Sequence, residues 1–599
     1  MLQYERILSK RNRRAVELAE KVISEGWTLG GYPKVRLNLP QWELDSGKDR
    51  SWNFHIHCWD MLDPVLVAFD EIGRQDFLRA AVGTALDWAG RYPLQEAAGT
   101  SMAWYDMAVG VRAYRLAYII DAADRANIFV KEEREVLWSS LLEHQNFLAD
   151  DENIAFHNNH GYFQAAGQIA MGRRFVGLSD VMEVAYRQGK ERLYRMLTQQ
   201  FFEDGMHKEH SPDYHRMVYE TLVSLIFSGL VDDEATIEFS KKIELSLSWF
   251  VLPNQHIANF GDTDFRLLQV GPAEAQRKWQ TAQMQHLVSG GSIGNLPQDR
   301  LAVFEAAGFY VVRQGNSYLA QIAAFHSRTH KHADDLSFIW TDKGCDLLVD
   351  AGRYGYLEKT EQGSDLWLDG HWYANPNRVF CESTRAHNTL EFDGKNYLRR
   401  GVRPYGSAIK RWVEDPCGLY ALETECKHFG SIRHARVLIF MPGRWLIVFD
   451  WFHDNQSAEH QVRQWFHLGP SLKLEKQGTG YQASLPSGES LTVAPLLGEV
   501  NASEPYLGEE GPPMQGWWSP KEREMIPNYA FCFEQSGVPS GVFASLFVFS
   551  KTLAPNTSRS RANGSGRKAQ FVWVDDSGTH TVRLERPKDG SMEVFYEQK

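Results

Sequence analysis

At 599 residues the chain is longer than one hydrophobic core supports, so two large domains, or two and a small one, are expected. Its formal net charge of -12 argues against nucleic-acid binding, which rests on clustered Lys and Arg, and any anionic ligand must find a locally positive or neutral hydrogen-bonding groove. No run of about 18 apolar residues occurs, so no membrane-spanning helix is expected.

The N-terminal stretch MLQYERILSKRNRRAVELAEKV alternates charged and apolar residues at helical period and lacks the continuous apolar segment of a secretory leader. This reads as cytoplasmic as written, or as periplasmic or secreted if a leader has been removed. Six Cys without a CxxC pair or framework spacing suit reduced thiols, which leaves the redox compartment open.

From residue 9 to about 285, apolar residues recur at i, i+3, i+4 and i+7, as in Asp60 to Ile72, Gln75 to Trp88, Met102 to Ile120, Lys131 to Leu148, Asp180 to Met196, Pro212 to Leu230 and Glu234 to Phe250. Gly73, Gly172 and Ser211-Pro212 supply stop and start signals between them. Residues 1–288 are therefore expected to form one all-helical domain, whose antiparallel pairs would suit a toroid of hairpins. A Gly/Ser/Pro-containing linker follows at 289–299. Residues 300–599 carry short apolar runs such as GFYVVRQ, LSFIWT, ARVLIFM, RWLIVFDWF and AQFVWVDD between turn residues, with no helices alternating. That pattern favours antiparallel sheets packed as a sandwich, in one or two subdomains, and a multidomain α+β chain overall.

Four clusters carry candidate chemistry. HNNHGYFQAAG gathers His157, Asn158, Asn159 and His160 at a helix start, where neutral hydrogen-bonding groups and outward N–H groups suit a carboxylate. KEHSPDYHRMVYE places Tyr214 and His215 in the first turn of the helix that Ser211-Pro212 begins. FHSRTHKHADDLSF spaces His326, His330 and His332 evenly, which in a regular strand puts all three on one face as a metal or acid-base site. Asp350, ending CDLLVD, and His387 in STRAHNTLEFDG are further possible ligands, and His with Asp is an ordinary Zn or Mn donor set. The 19 Trp, 23 Tyr and 33 Phe offer flat faces for sugar rings beside those that fill the interior.

In this order, NNHG, EHSxxYH, HKHxDxLSFxxxxxGxxLLVDxG and AHNTLxFDG resemble the heparinase II/III-like superfamily of polysaccharide lyases, and WNFHIH (52–57) and WYDMAVGVR (104–112) resemble its helical domain. The resemblance implies an N-terminal incomplete (α/α) toroid followed by a C-terminal antiparallel β-sandwich, with the active site in the cleft between them. It implies carboxylate neutralisation by Asn159 and His160, proton transfers by Tyr214 and His330, a second functional Tyr at Tyr373, and a loop-positioning divalent metal, Zn or Mn, on His332, Asp350 and His387. Asn53, His57, Trp104, Arg112 and Arg328 are candidate groove residues for substrate. Heparinase II-like members keep a Glu shortly after the helical His, whereas this chain reads GYFQ, which favours the Asn-assisted version.

The implied partner is an acidic polysaccharide or oligosaccharide. Glycosaminoglycans of the hyaluronan, chondroitin or heparan sulfate type come first, with alginate or another uronate oligosaccharide as the alternative. A glycoside hydrolase would need a carboxyl pair about 5 to 9.5 Å apart, and Asp106, Glu209 and Asp213 form no recognisable pair. A catalytically dead glycan-binding protein is the rival of another class, disfavoured because every expected catalytic position is filled.

Overall fold

The computed structural model describes residues 2–5, 14–29, 32–38, 42, 50–97, 102–296, 298–497 and 500–599; the first residues of the expected helical pattern, 9–13, and position 297 of the expected linker lie outside them. Helices run in succession as far as Ala282–Val288, and strands begin at Leu301–Phe304. By internal contacts the chain forms two compact units, Met1–Glu203 with Met217–Lys241, and Asp204–Arg216 with Lys242–Lys599.

In the first unit the helices end where the local chemistry directs. Asp63–Ile72 starts with Pro64 in its first turn and closes at Gly73 in the left-handed conformation. Met107–Arg125 and His160–Phe175 are buried along nearly their whole length, polar residues such as Arg112, Arg115, Gln164 and Gln168 included. They touch backbone to backbone, because a Cβ on Gly110 would collide with the Phe163 carbonyl and one on Gly167 with the Gly110 carbonyl. Buried charges in this interior are paired in several places: Arg174 bridges Glu5 (2.6 Å) and Asp121 (2.8 Å), and Arg115 reaches Asp60 (2.9 Å).

The second unit is built on antiparallel sheets. An eight-stranded sheet runs in the order Lys473–Gln477, Gly480–Ser484, Ser490–Pro495, Ser540–Val548, Trp445–Asp454, Ile432–Met441, Tyr420–Phe429, Ile409–Glu414. Leu438 and Val448 on one face pack with Trp340, Phe466 and Phe531 of two five-stranded sheets. Val437, Ile439 and Phe449 on the other face pack with Phe571, Trp573 and Val582 of the C-terminal sheet. Covered on both faces, these strands read as unbroken apolar runs instead of alternating ones, which is why ARVLIFM and RWLIVFDWF look as they do. Inside the eight-stranded sheet Asp450 accepts from Arg436 Nε (2.8 Å) and Nη2 (2.7 Å), His434 Nε2 (2.7 Å) and Gln464 Nε2 (2.7 Å). Among the described residues no helix is long and apolar enough to cross a membrane.

Candidate active site

In the second unit, Pro212–Phe227 begins beside Ser211, whose hydroxyl accepts from Tyr214 N–H (3.3 Å) and bonds the Asp262 carbonyl (3.0 Å) and the Thr263 hydroxyl (2.8 Å). This ties the first helical turn to the segment Gly261–Asp264 and holds Tyr214 above it. The Tyr214 ring stacks on His330, centroids 3.5 Å apart and planes 21° apart. Its hydroxyl lies 3.0 Å from the Tyr356 hydroxyl, which donates to Asp262 Oδ2 (3.0 Å) and sits 3.3 Å from His330 Nδ1. His330 Nδ1 is 3.0 Å from the same Oδ2, and its Nε2 is 3.5 Å from Glu209. Burial first, then the Asp262 charge, raise the Tyr214 pKa, so the hydroxyl stays protonated near neutral pH.

Asp262 is the hub. Its Oδ1 accepts from His332 Nε2 (3.0 Å) and, closely, from Arg378. Burial would raise the pKa of this carboxylate, but the Arg378 guanidinium and the hydrogen bonds from His330 and His332 outweigh it and hold the pKa well below the usual range. Arg378 in turn pairs with Glu382 (2.6 Å), which also receives Arg399 (3.0 Å). The backbone permits the approach through Gly261, at φ 54°, where a Cβ would collide with the His330 carbonyl.

Asp262 and Tyr356 were not among the expected site residues. Each sits alone in a loop, and only the acidic FGDTDF stretch and the Tyr following VDAGRYG mark them in the sequence. The even spacing of three His on one strand face is also corrected. The strand Ala324–Phe325 ends before His326, and His330 takes a positive φ of 55° in a turn, so period-2 geometry does not apply. His326 instead stacks on His210 at 5.4 Å.

His332, Asp350 and His387 each offer a donor atom within 4.8 Å of the others, and all three residues are buried. His332 Nδ1, Asp350 Oδ1 and His387 Nε2 are buried without a hydrogen-bond partner, a costly arrangement that an ion would relieve. Burial lowers His332 to about 4, which keeps the imidazole neutral as a ligand must be. Two imidazoles and a carboxylate suit Zn or Mn, and Asp262 behind His332 supplies the outer hydrogen bond that orients such ligands. The residues present fit a divalent ion.

In the first unit, Asn159 and His160 stand at the start of His160–Phe175. The His160 Nδ1 lies 2.6 Å from Asp106 Oδ2, and its backbone N–H donates to Asn158 (2.8 Å), so the ring is oriented with Nε2 away from the carboxylate. Both side chains are partly exposed. Gln164 of GYFQ is fully buried, accepting from Ala155 N–H and donating to the Asn153 carbonyl.

The other expected groove residues divide sharply. Asn53, His57, Trp104 and Arg112 are buried in the helical unit. Arg112 bonds His144 (2.8 Å) and the His57 carbonyl (2.6 Å) with its guanidinium over Trp88, His57 accepts from Trp88 Nε1 (3.2 Å), and Trp104 Nε1 donates to the Tyr92 carbonyl (2.9 Å). All four side chains lie in the interior of the helical unit and not on an open face. Arg328 is half-exposed over Trp372. Tyr373 packs on Tyr356, centroids 5.1 Å apart, beside the Tyr214–His330 pair.

A helical domain followed by antiparallel sheets is the fold of a class of polysaccharide lyases. Residues 30–270 match the family model "Heparinase II/III N-terminus" and residues 297–536 match "Heparinase II/III-like, C-terminal". The chain belongs to the heparinase II/III-like family of polysaccharide lyases. It is similar to the heparin-sulfate lyase of Bacteroides thetaiotaomicron, 19% identical over 80% of this chain and 71% of that one. In fold it is similar to a mutant of the heparan sulfate lyase HepC from Pedobacter heparinus (TM-score 0.73, 18% identity, covering 98% of this chain and 93% of that one). It is similar also to the chondroitin AC lyase of Streptomyces coelicolor A3 in complex with chondroitin sulphate (TM-score 0.52, 10% identity, 98% and 88%).

Proposed function

We propose that this protein cleaves uronate-containing acidic glycans by β-elimination, with glycosaminoglycans the first substrate class and alginate-type uronate oligosaccharides the alternative. The observation that carries the proposal is the stacked Tyr214–His330 pair held through Tyr356 and Asp262, two proton-transfer groups fixed side by side.

The C5 proton of a uronate is barely acidic while its carboxylate is charged, so elimination needs three services. The carboxylate must be neutralised, the C5 proton removed, and the departing O4 protonated. Asn159 and His160 take the first as hydrogen-bond donors, an effect of about 3 to 4 kcal/mol for a well-placed donor. Tyr214 and His330 take the others, each typically contributing roughly 10²- to 10⁴-fold. The Asp262 carboxylate fixes the His330 ring through Nδ1, which leaves Nε2 for proton transfer. Tyr373 flanks the pair through Tyr356.

His332, Asp350 and His387 would hold a divalent ion, whose positive charge would fix the loop carrying His330. Arg378 and Asp262 support the same loop from the protein side. The deciding experiment incubates the protein with hyaluronan, chondroitin sulfate, heparan sulfate and alginate and follows ultraviolet absorbance and product size. An unsaturated uronyl product establishes the lyase reaction. Cleavage without that chromophore establishes hydrolysis, and binding without cleavage a glycan-binding protein.

A further inference from the structure

Beside the Tyr214–His330 pair lies a group of side chains that the elimination itself does not use. Arg328 begins the turn that leads to His330, its carbonyl accepting from Lys331 N–H (3.3 Å). Its guanidinium stacks on Trp372, 4.4 Å from the ring centroid. The Arg400 guanidinium lies against the Trp367 ring and donates to the Trp367 carbonyl (3.1 Å). Trp372 is 48% exposed and the neighbouring Leu368 58% exposed, so this face is open. Trp372 precedes Tyr373, which packs on Tyr356, and Arg328 lies two residues before His330, so both segments of this group are tied to the proton-transfer residues.

The charge here is unbalanced. Glu382 is already engaged by Arg378 and Arg399, and among the described residues neither Arg328 nor Arg400 has a carboxylate partner. Arg328 Nη1 is enclosed and lacks a hydrogen-bond acceptor. In a chain of net charge -12, two arginines that are not ion-paired and are set over indole rings form a platform that an anion completes. Arginine held on an aromatic face presents its N–H fork edgewise, the geometry that receives a carboxylate or sulfate, while the exposed indole offers a face to a sugar ring.

We infer that Arg328, Arg400, Trp367 and Trp372 form a subsite for the anionic group of the sugar flanking the cleaved bond, an inference that rests on the lyase reading above. A single charge-assisted contact of this kind typically changes affinity by about tenfold to a hundredfold.

The test compares the full-length protein with Arg328→Gln and Arg400→Gln on heparan sulfate and on the same polymer without sulfate. Arg559→Gln, which removes an exposed arginine in the C-terminal region, controls for net charge. Each subsite variant is expected to raise KM at least about tenfold with a smaller change in kcat, and to flatten the dependence of KM on salt. A rise confined to the sulfated polymer identifies sulfate as the anion read, and an equal rise on both identifies the flanking carboxylate. Unchanged KM on both polymers overturns the subsite while leaving the lyase reading intact. Should the unsubstituted protein cleave neither polymer, calorimetric binding of size-defined oligosaccharides from both decides the matter alone. Weaker binding by the two variants sustains the subsite, and equal binding overturns it.

Discussion

Tyr214→Phe separates chemistry from folding more cleanly than any other change at this site. The substitution keeps the ring that stacks on His330 at 3.5 Å and removes only the hydroxyl that bonds Tyr356 at 3.0 Å. Tyr356 retains its acceptor, Asp262 Oδ2 at 3.0 Å, so no buried donor is orphaned. The stability cost is therefore that of one ordinary hydrogen bond, about 1 kcal/mol. If Tyr214 transfers a proton, turnover falls by roughly 10²- to 10⁴-fold, about 2.7 to 5.4 kcal/mol of barrier, well beyond what the lost contact explains. The assay is the initial rate of ultraviolet absorbance on the best polymer of the panel, with a thermal melt on the same preparation. A rate within about threefold of the unsubstituted protein, with Tm unchanged, removes Tyr214 from the mechanism. A rate loss matched by a collapse in Tm would mean that the residue acts through structure.

Asn159→Ala is expected to depress kcat more than it raises KM, because the carboxylate gains charge as the C5 proton leaves; a change in KM alone reassigns Asn159 to substrate anchoring. His330→Ala should abolish turnover with metal retained, whereas His332→Ala should lose metal first, as read by metal analysis of the purified variants. Equal metal loss in both makes His330 a ligand, and loss in neither refutes the site on His332, Asp350 and His387. Chelation should lower activity and Tm together, whereas lost activity at unchanged Tm would indicate a metal acting on substrate directly. Asp450→Ala strands the buried Arg436 guanidinium and should destabilise the sheet unit by about 3 to 5 kcal/mol, seen as a lower Tm; a shift below about 1 °C contradicts the pairing.

The helical half was legible because its signals are periodic and local. Gln75–Arg91, Lys131–Ala149 and Asp180–Gln200 follow the apolar spacing closely, and Ser211-Pro212 marks a true helix start. The strands were legible as apolar runs, but their order in the sheets follows from pairings far apart in sequence, such as Trp445 with Val548. Asp262 and Tyr356 escaped notice for the same reason. A lone Asp or Tyr in a loop has no period, and each gains meaning only from partners brought to it by the fold, 68 residues away for His330. Arg112 and Trp104 show the opposite case, motif residues of the helical domain whose side chains lie in its interior. The His spacing misled because alternation presupposes a strand, and a positive φ at His330 breaks it.

The crowding around Asp262 limits where a proton can go. A carboxylate has about four lone-pair positions, and here all four are engaged, by His332 and Arg378 on one oxygen and by His330 and Tyr356 on the other. Accepting a fifth hydrogen would break one of these bonds and weaken the hold on Arg378, which Glu382 shares, in a buried setting. Asp262 is thus a clamp with no spare valence. On the proposed elimination, a proton taken from the sugar would therefore stay on Tyr214 or His330 until it passes to the leaving oxygen or to water, because Asp262 has no free position to receive it.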